Sequence, residues 1–214
     1  MTLLPFRTPR LPRTRLLPAL VAVLSVGGCL EGGAGGKAPT RAVVGTTGIS
    51  IAGPQGYCID RKSRRVKPEA QVYMLAGCEA LGGTGSPPPG QAALLMAAVS
   101  PRPLTGVVLK DPSSAFSRFF RSEAGRGAVS WDGRAGSVRI LGMTHQDGMH
   151  ILHLRHDGPL PYDDIGTESW RGVMVLNGHM VTLQVVPFAD KPLSKADGAA
   201  LLQRFARAVR AAST

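Results

Sequence analysis

The sequence lacks the short motifs that mark several classes of enzyme. It has no Gly-x-Ser-x-Gly nucleophile elbow, no Ser-x-x-Lys placed before the other motifs of penicillin-binding proteins, and no Walker loop. The glycine- and proline-rich run at 82–90 is not followed by Gly-Lys-Ser or Gly-Lys-Thr, so we expect a surface loop and not a phosphate site. These absences argue against a serine hydrolase or a nucleotide hydrolase. We predict a non-catalytic protein that needs no cofactor.

Acidic residues are missing from the first 28 positions, which carry four arginines followed by an apolar run at 16–26. This layout is typical of a secretory signal peptide. The apolar run has about half of the roughly 20 residues that a spanning helix needs. We therefore expect that it is removed and is not a permanent membrane anchor.

The run Val26-Gly27-Gly28-Cys29 resembles the lipobox of bacterial lipoproteins, which has an aliphatic residue, two small residues and the cysteine that receives lipid. The resemblance implies cleavage before Cys29 and a palmitate-type lipid anchor on that residue, so that the protein faces the periplasm. Leu30 stands where lipoproteins retained in the inner membrane carry aspartate. This implies the outer membrane in preference to the inner one, with the membrane itself as a partner.

Cysteines are few, and removing Cys29 from the total of three leaves only Cys58 and Cys78. They do not form a C-x-x-C motif and have no neighbouring metal-ligand types, which argues against a redox or zinc pair. In an oxidising compartment we predict that they form a structural disulfide. By closing a loop of twenty residues, it would stabilise the fold by roughly 3 kcal/mol.

The chain has 25 basic and 14 acidic residues, for a formal charge of +11. Loss of the leader removes four arginines and no acid, which lowers the charge to +7. A moderate positive charge favours anionic surfaces but specifies no partner, and we predict no nucleic-acid binding. The predicted organisation is a signal peptide at 1–28, a lipidated flexible tether at 29–45 that is rich in glycine, and a single α+β domain at 46–214.

Two segments around the cysteine pair resemble a family of envelope lipoproteins of Gram-negative bacteria. They are Ile51-Ala52-Gly53-Pro54-Gln55-Gly56-Tyr57-Cys58-Ile59-Asp60 and Met74-Leu75-Ala76-Gly77-Cys78. The resemblance covers mainly residues 46–80 and implies an envelope protein, with another envelope protein as a possible partner. It implies no activity.

The fold prediction is an α+β domain in which an internal helix and a C-terminal helix cover an antiparallel sheet. Short apolar runs predict strands at 48–52, 71–75 and 92–99. The turn pairs Asp147-Gly148 and Asn177-Gly178 predict two hairpins, which together form a four-strand meander. Ser194 is expected to cap the last helix, whose apolar stripe is Leu201, Leu202, Phe205 and Val209.

The internal helix is expected to begin at the cap Asp111 and to stop near the glycines at 125 and 127. Its aromatic residues Phe116, Phe119 and Phe120 fall on one face, which predicts that all three belong to the core.

All five histidines lie between positions 145 and 179 and are the candidates for metal or proton chemistry. Strand alternation places His150 and His156 on one face and His153 on the other, so His-x-x-His-x-x-His cannot converge. Across the first hairpin turn, His145 should lie opposite His150, close enough for both rings to reach one ion. A third ligand is missing from the pattern, and His179 or Asp147 are the candidates for it. A metal-binding or enzymatic protein that uses this cluster is the alternative function.

A second group of possible chemical interest is acidic. Asp163, Asp164 and Glu168 follow a proline-rich turn and have the side-chain types for general acid and base chemistry or for calcium. Neighbouring acids on a loop are more commonly just solvated.

Overall fold

The computed structural model describes residues 37–104 and 112–213. The predicted signal peptide, the lipid-attachment residue Cys29 and the predicted helix cap Asp111 lie outside these residues. Within the described part of the chain, no helix is both long enough and apolar enough to cross a membrane.

The described residues form ten strands and three α-helices. The strands are β1 Arg41–Val43, β2 Ser50–Ala52, β3 Tyr57–Ile59, β4 Arg65–Val66, β5 Gln71–Gly77, β6 Ala93–Val99, β7 Val138–Gln146, β8 Met149–His156, β9 Glu168–Leu176 and β10 His179–Pro187. The helices are α1 Pro112–Arg121, α2 Glu123–Val129 and α3 Lys195–Ala212.

Eight of these strands form one antiparallel sheet in the order β3-β5-β6-β10-β9-β8-β7, with β4 paired to β5. Strands β1 and β2 form a separate two-stranded sheet. The α+β class and the meander of β7 to β10 are confirmed, and α3 packs on the sheet as predicted. The sheet is larger than predicted, because β6 pairs with β10 and thereby joins the N-terminal strands to the meander.

Both hairpins turn where the sequence predicts. Asp147 and Gly148 have φ of 51° and 67°, and Asn177 and Gly178 have φ of 49° and 78°. Two successive positive φ values are characteristic of the type I′ turn, whose twist matches that of the strands. The two turns therefore set the register of the meander, and His145 pairs with His150 as expected.

Strand β7 contains a bulge that the sequence analysis did not predict. The register of β7 against β8 shifts between Ile140 and Gly142, leaving Leu141 as an extra residue that is 43% exposed. One extra residue reverses the alternation of side chains beyond it. As a result Val138 and Ile140 face the same way as Met143 and pack with it.

One face of the sheet is sealed by α3. Ser194 caps the helix by accepting a hydrogen bond from the amide of Asp197, and the predicted apolar stripe is fully buried. Trp170 of β9 is 1% exposed and lies against Gly198, where α3 approaches the sheet most closely. This side holds the main core, which also includes residues of β2, β5, β6 and β10.

The other face is covered only in part, by α1 and α2. The predicted single helix is wrong: α1 ends at Arg121, and Ser122 caps a new helix that continues through both glycines. The Ser122 hydroxyl accepts from the amide of Gly125, which is the local reason for the break. Phe120 is buried, but Phe119 is 46% exposed, so the prediction of three core aromatics is wrong for Phe119.

The N-terminal boundary of the folded part lies earlier than predicted. Strand β1 begins at Arg41, within the range assigned to the tether, and pairs with β2. The Arg41 guanidinium donates to the Ser50 hydroxyl and to the carbonyl of Ala212, and Val44 is 1% exposed. These contacts hold residues 41–45 to the domain, so the last part of the predicted tether is folded.

The predicted disulfide is present. The sulfur atoms of Cys58 and Cys78 lie 2.04 Å apart, and both residues are buried. The bond joins the end of β5 to the edge strand β3.

Gly198 provides a test of how closely α3 packs on the sheet. A Cβ at this position would lie 2.3–2.5 Å from three atoms of the Trp170 indole. We predict that Gly198→Ala lowers the free energy of unfolding by about 1–3 kcal/mol through overpacking, although alanine in a helix is intrinsically favoured by about 1 kcal/mol. Urea unfolding measures the change. Gly136→Ala is the control, because no atom lies within 4 Å of its added Cβ; equal stability of both variants would contradict the close approach.

Candidate functional site

The predicted histidine pair forms as expected, but its surroundings are those of a packed hairpin end. The ring centroids of His145 and His150 are 4.4 Å apart. The ring of His150 also stacks on Phe116 of α1, with the centroids 4.0 Å apart and the planes at 15°. Burial, followed by the proximity of His145, lowers the pKa of His150. This shift favours the neutral form of the His150 imidazole, which is the form that binds metals.

The structure does not bring the proposed third ligands to this pair. The ring of His179 contacts the Ser100 carbonyl, with its Nδ1 2.8 Å from that oxygen. Across the sheet, His150 pairs with Val173 of β9, and Val173 pairs with Thr182 of β10. His179 is three residues from Thr182 along β10, a distance on the order of 10 Å. Within residues 37–104 and 112–213, no group of three His, Cys, Asp or Glu side chains is arranged to hold a metal ion.

The remaining two histidines lie on opposite faces, as the alternation predicts. His153 stacks on Trp170 on the α3 side, with ring centroids 4.8 Å apart, and its Nε2 is 2.8 Å from Oε2 of Glu168. His156 is 3% exposed on the other side, where its Nε2 lies 2.9 Å from the Ser169 hydroxyl. Glu168 thus pairs with a histidine, while Asp163 and Asp164 are exposed on their loop.

The α1–α2 side of the sheet contains an apolar cavity of about 460 Å³, which we call the Arg171 pocket. Its lining includes Phe116, Phe119, Phe120, Arg171, Val173 and Met180. The exposed fractions of Phe119 and Met180 are 46% and 42%, so apolar surface continues from the pocket to the solvent. The volume is within the range of roughly 300–1,000 Å³ that is typical of small-molecule sites.

Arg171 is the charged group of this pocket. Its Nη2 donates to Oε1 of Gln184 at 2.9 Å and its Nη1 to the carbonyl of Ala128 at 3.3 Å. Its Nε is buried and has no hydrogen-bond partner. Burial lowers the pKa of Arg171 to about 10, so the side chain is still a cation at neutral pH.

A polar row continues from Arg171 beneath the helices. Gln184 also donates to the Ser169 hydroxyl at 3.4 Å, and Ser169 contacts His156. The row therefore runs Arg171, Gln184, Ser169, His156, and it contains no acidic side chain. Its members lie on one face of three adjacent strands, which is why a row forms between residues distant in sequence.

A second cavity of about 460 Å³ lies on the α3 side, and its lining includes Gly142, His153, Trp170 and Lys195. It differs from the Arg171 pocket in its electrostatics. The His153 ring that lines it is already paired with Glu168. The bulge in β7 places Gly142, which has no side chain, at its wall and leaves the space open.

No protein-family model matches this chain, and comparisons with curated proteins and with solved structures found no significant match. The site is therefore interpreted from its own geometry.

Sequence analysis did not identify Arg171, although one signal was available. Because the Asn177-Gly178 turn fixes the hairpin register, Arg171 and Gln184 must lie opposite each other in strands that are otherwise mainly apolar. A polar pair at such positions is a signal of a buried polar site. That this pair borders a cavity depends on α1 and α2, whose placement the sequence does not reveal.

The buried His156 predicts a specific dependence of stability on pH. Burial, together with the charge of Arg171 and against the opposing effect of Asp157, lowers the pKa of His156 from 6.5 to about 4. The folded protein binds this proton less readily than the unfolded chain does. The contribution of His156 to the free energy of unfolding is therefore fully present above pH 6.5 and is lost as the pH falls to about 4. The loss is at most about 3 kcal/mol.

Urea unfolding at several pH values measures this dependence. We expect the free energy of unfolding of His156→Gln to change less between pH 6.5 and 4.5 than that of the natural chain. Identical slopes for His156→Gln and the natural chain would show that His156 is not the titrating group.

Proposed function

We propose that this protein is a lipid-anchored, non-catalytic binding module of the bacterial cell envelope, and that the Arg171 pocket is its binding site. The observation that carries the proposal is an open apolar cavity of about 460 Å³ lined by a partly buried arginine, Arg171, whose Nε is buried without a hydrogen-bond partner. The leader, the lipobox-like run ending at Cys29 and the oxidised cysteine pair support an extracytoplasmic location.

The proposed anchor would keep the site near a membrane. Between Cys29 and the first strand at Arg41, the sequence is rich in glycine and poor in large apolar residues. A chain of this composition and length spans on the order of 20 Å. The ligand would then be a component of the envelope that the domain reaches while it stays attached, with the outer membrane as the proposed location.

The pocket has the features of a binding site and not those of an active site. Its polar row contains a guanidinium, an amide, a hydroxyl and an imidazole but no carboxylate. The Ser169 hydroxyl is fully buried, so it is not available to attack a substrate. The row holds Arg171 in place, and the apolar wall provides the contact area.

The alternative is a metal-dependent protein that uses His145 and His150, and the closeness of their rings favours it. Two imidazoles provide two of the three or more protein ligands that zinc sites use. This candidate needs a third ligand from a partner or from the metal-bound solvent.

The anchor is tested by replacing its attachment residue. We expect Cys29→Ser to abolish the incorporation of labelled palmitate and to release the protein from the membrane fraction, because serine has no thiol for the lipid. Cys58→Ser/Cys78→Ser is the control, since it removes two cysteines and should keep the label. Normal acylation of Cys29→Ser would refute the lipoprotein assignment.

The pocket is tested by filling it. In the full-length chain carrying Cys29→Ser, we expect the uncharged dye Nile red to bind with a stoichiometry near one. Val173→Phe should weaken this binding at least tenfold, since the larger side chain occupies the cavity. Val66→Phe is the matched control, because Val66 is 65% exposed on β4 and is not part of the pocket lining. Fluorescence titration measures both.

Two outcomes would contradict the proposal. Equal dye binding by Val173→Phe and the parent chain would show that the Arg171 pocket is not the binding site. Stoichiometric zinc or copper in the purified protein that is lost in His145→Ala/His150→Ala, together with lost activity or ligand binding, would establish the metal-dependent alternative.

A further inference from the structure

We propose that the Arg171 pocket binds a single-chain amphiphile whose anionic head group, a carboxylate or a phosphate, pairs with Arg171. The inference rests on the binding function proposed above and specifies the chemistry of the ligand. Three observations carry it: a partly buried cation without a paired carboxylate, an apolar wall around it, and the positive charge of the two helices that line the pocket.

The charge of Arg171 has no full counter-charge. Among the described residues, no carboxylate oxygen lies within 4.0 Å of its guanidinium nitrogens. Its two hydrogen-bond partners are both neutral: the side-chain amide oxygen of Gln184, and the carbonyl of Ala128 near the end of α2. Such dipoles compensate only part of the charge, and removing an ion from water is unfavourable when its compensation is incomplete.

The guanidinium also has donor capacity to spare. It carries five N–H donors, of which two are used in the recorded bonds, while Nε–H is buried without a partner. Carboxylate and phosphate oxygens accept two parallel bonds from a guanidinium. An anionic head group would therefore satisfy both the charge and the free donors.

The rest of the pocket requires an apolar body. Phe116, Phe119 and Phe120 form one side of the cavity, and Val173 and Met180 of the sheet contribute to the other. A small hydrophilic anion would leave these surfaces in contact with water. A single alkyl chain attached to the head group would cover them, and a cavity of about 460 Å³ suits one chain better than two.

The helices that line the pocket have a net positive charge. Helices α1 and α2 carry three arginines, Arg118, Arg121 and Arg126, against one acid, Glu123. Positive potential near a cleft raises the local concentration of anions. The cations of the cavity on the α3 side differ from Arg171, because Lys195 is exposed to solvent and His153 is paired with Glu168, and we assign no ligand to this cavity.

The test compares ligands that separate the head group from the chain. The full-length protein carrying Cys29→Ser is titrated by calorimetry with decanoate, decyl phosphate, decanol and acetate. The two anionic amphiphiles are kept below their micelle concentrations and decanol below its solubility limit. We expect one of the two anionic amphiphiles to bind at least tenfold more tightly than decanol. Acetate should show no measurable binding at the same concentrations. The tighter of decanoate and decyl phosphate identifies the head group as carboxylate or phosphate.

Replacement of the arginine tests its role directly. In Arg171→Met we expect the anionic amphiphiles to bind no more tightly than decanol, while decanol binding stays within about twofold of the parent. Arg207→Met, an equal loss of charge at an exposed position of α3, should leave all affinities unchanged. Circular dichroism of each variant verifies folding. If Arg171→Met does not fold, the ratio of the affinities of the parent chain for decanoate and decanol still tests the inference.

The outcomes separate this inference from the function on which it rests. Equal affinity for decanoate, decyl phosphate and decanol in the parent chain, or an anion preference that survives in Arg171→Met, would overturn the inference and leave a binding module for neutral apolar ligands. Failure of every amphiphile and of Nile red to bind would overturn the binding function itself.

Discussion

The alternation of side chains along β8, β9 and β10 is the constraint on which the rest of the structure depends. The type I′ turns at 147–148 and 177–178 set the register of the two hairpins, so every second residue on three adjacent strands points to the same side. Apolar residues on one side meet α3 and form the main core, with Trp170 against Gly198 at the closest approach. A shift of one residue would exchange the two faces and bury the wrong set.

The second face has a different composition. Its central row of Arg171, Gln184 and Ser169 is polar, and two short helices cover it incompletely. Apolar residues here would favour stability more, since a partly buried charge without a full partner is destabilising. This destabilisation would be offset if a bound ligand supplied the missing anion. The proposed lipid anchor is consistent with such a ligand, because it would hold the pocket close to a source of amphiphiles.

The two sides of the sheet also show why clustering in sequence is a poor guide to a site. The five histidines lie within 35 positions, yet alternation separates His153 from His150 and His156, and the register separates His179 from the hairpin end. His150 is used in stacking on Phe116, and His153 is paired with Glu168. The residues of the polar row lie on three different strands, between positions 156 and 184, and are brought together because these strands are neighbours.

The sequence by itself determined the elements that depend on local signals: the two hairpin turns, the capped helix α3 with its apolar stripe, and the identity of Cys58 and Cys78 as a pair. The tertiary structure decided what depends on distant contacts. It placed β6 beside β10, introduced the bulge at Leu141 that directs Val138 and Ile140 inward, divided the predicted helix at Ser122 and left Phe119 exposed. It also made a cavity beside Arg171. The cavity depends on the position of α1 and α2 over the sheet, and that position follows from packing between segments that are far apart in the chain. No local pattern of residues encodes such packing.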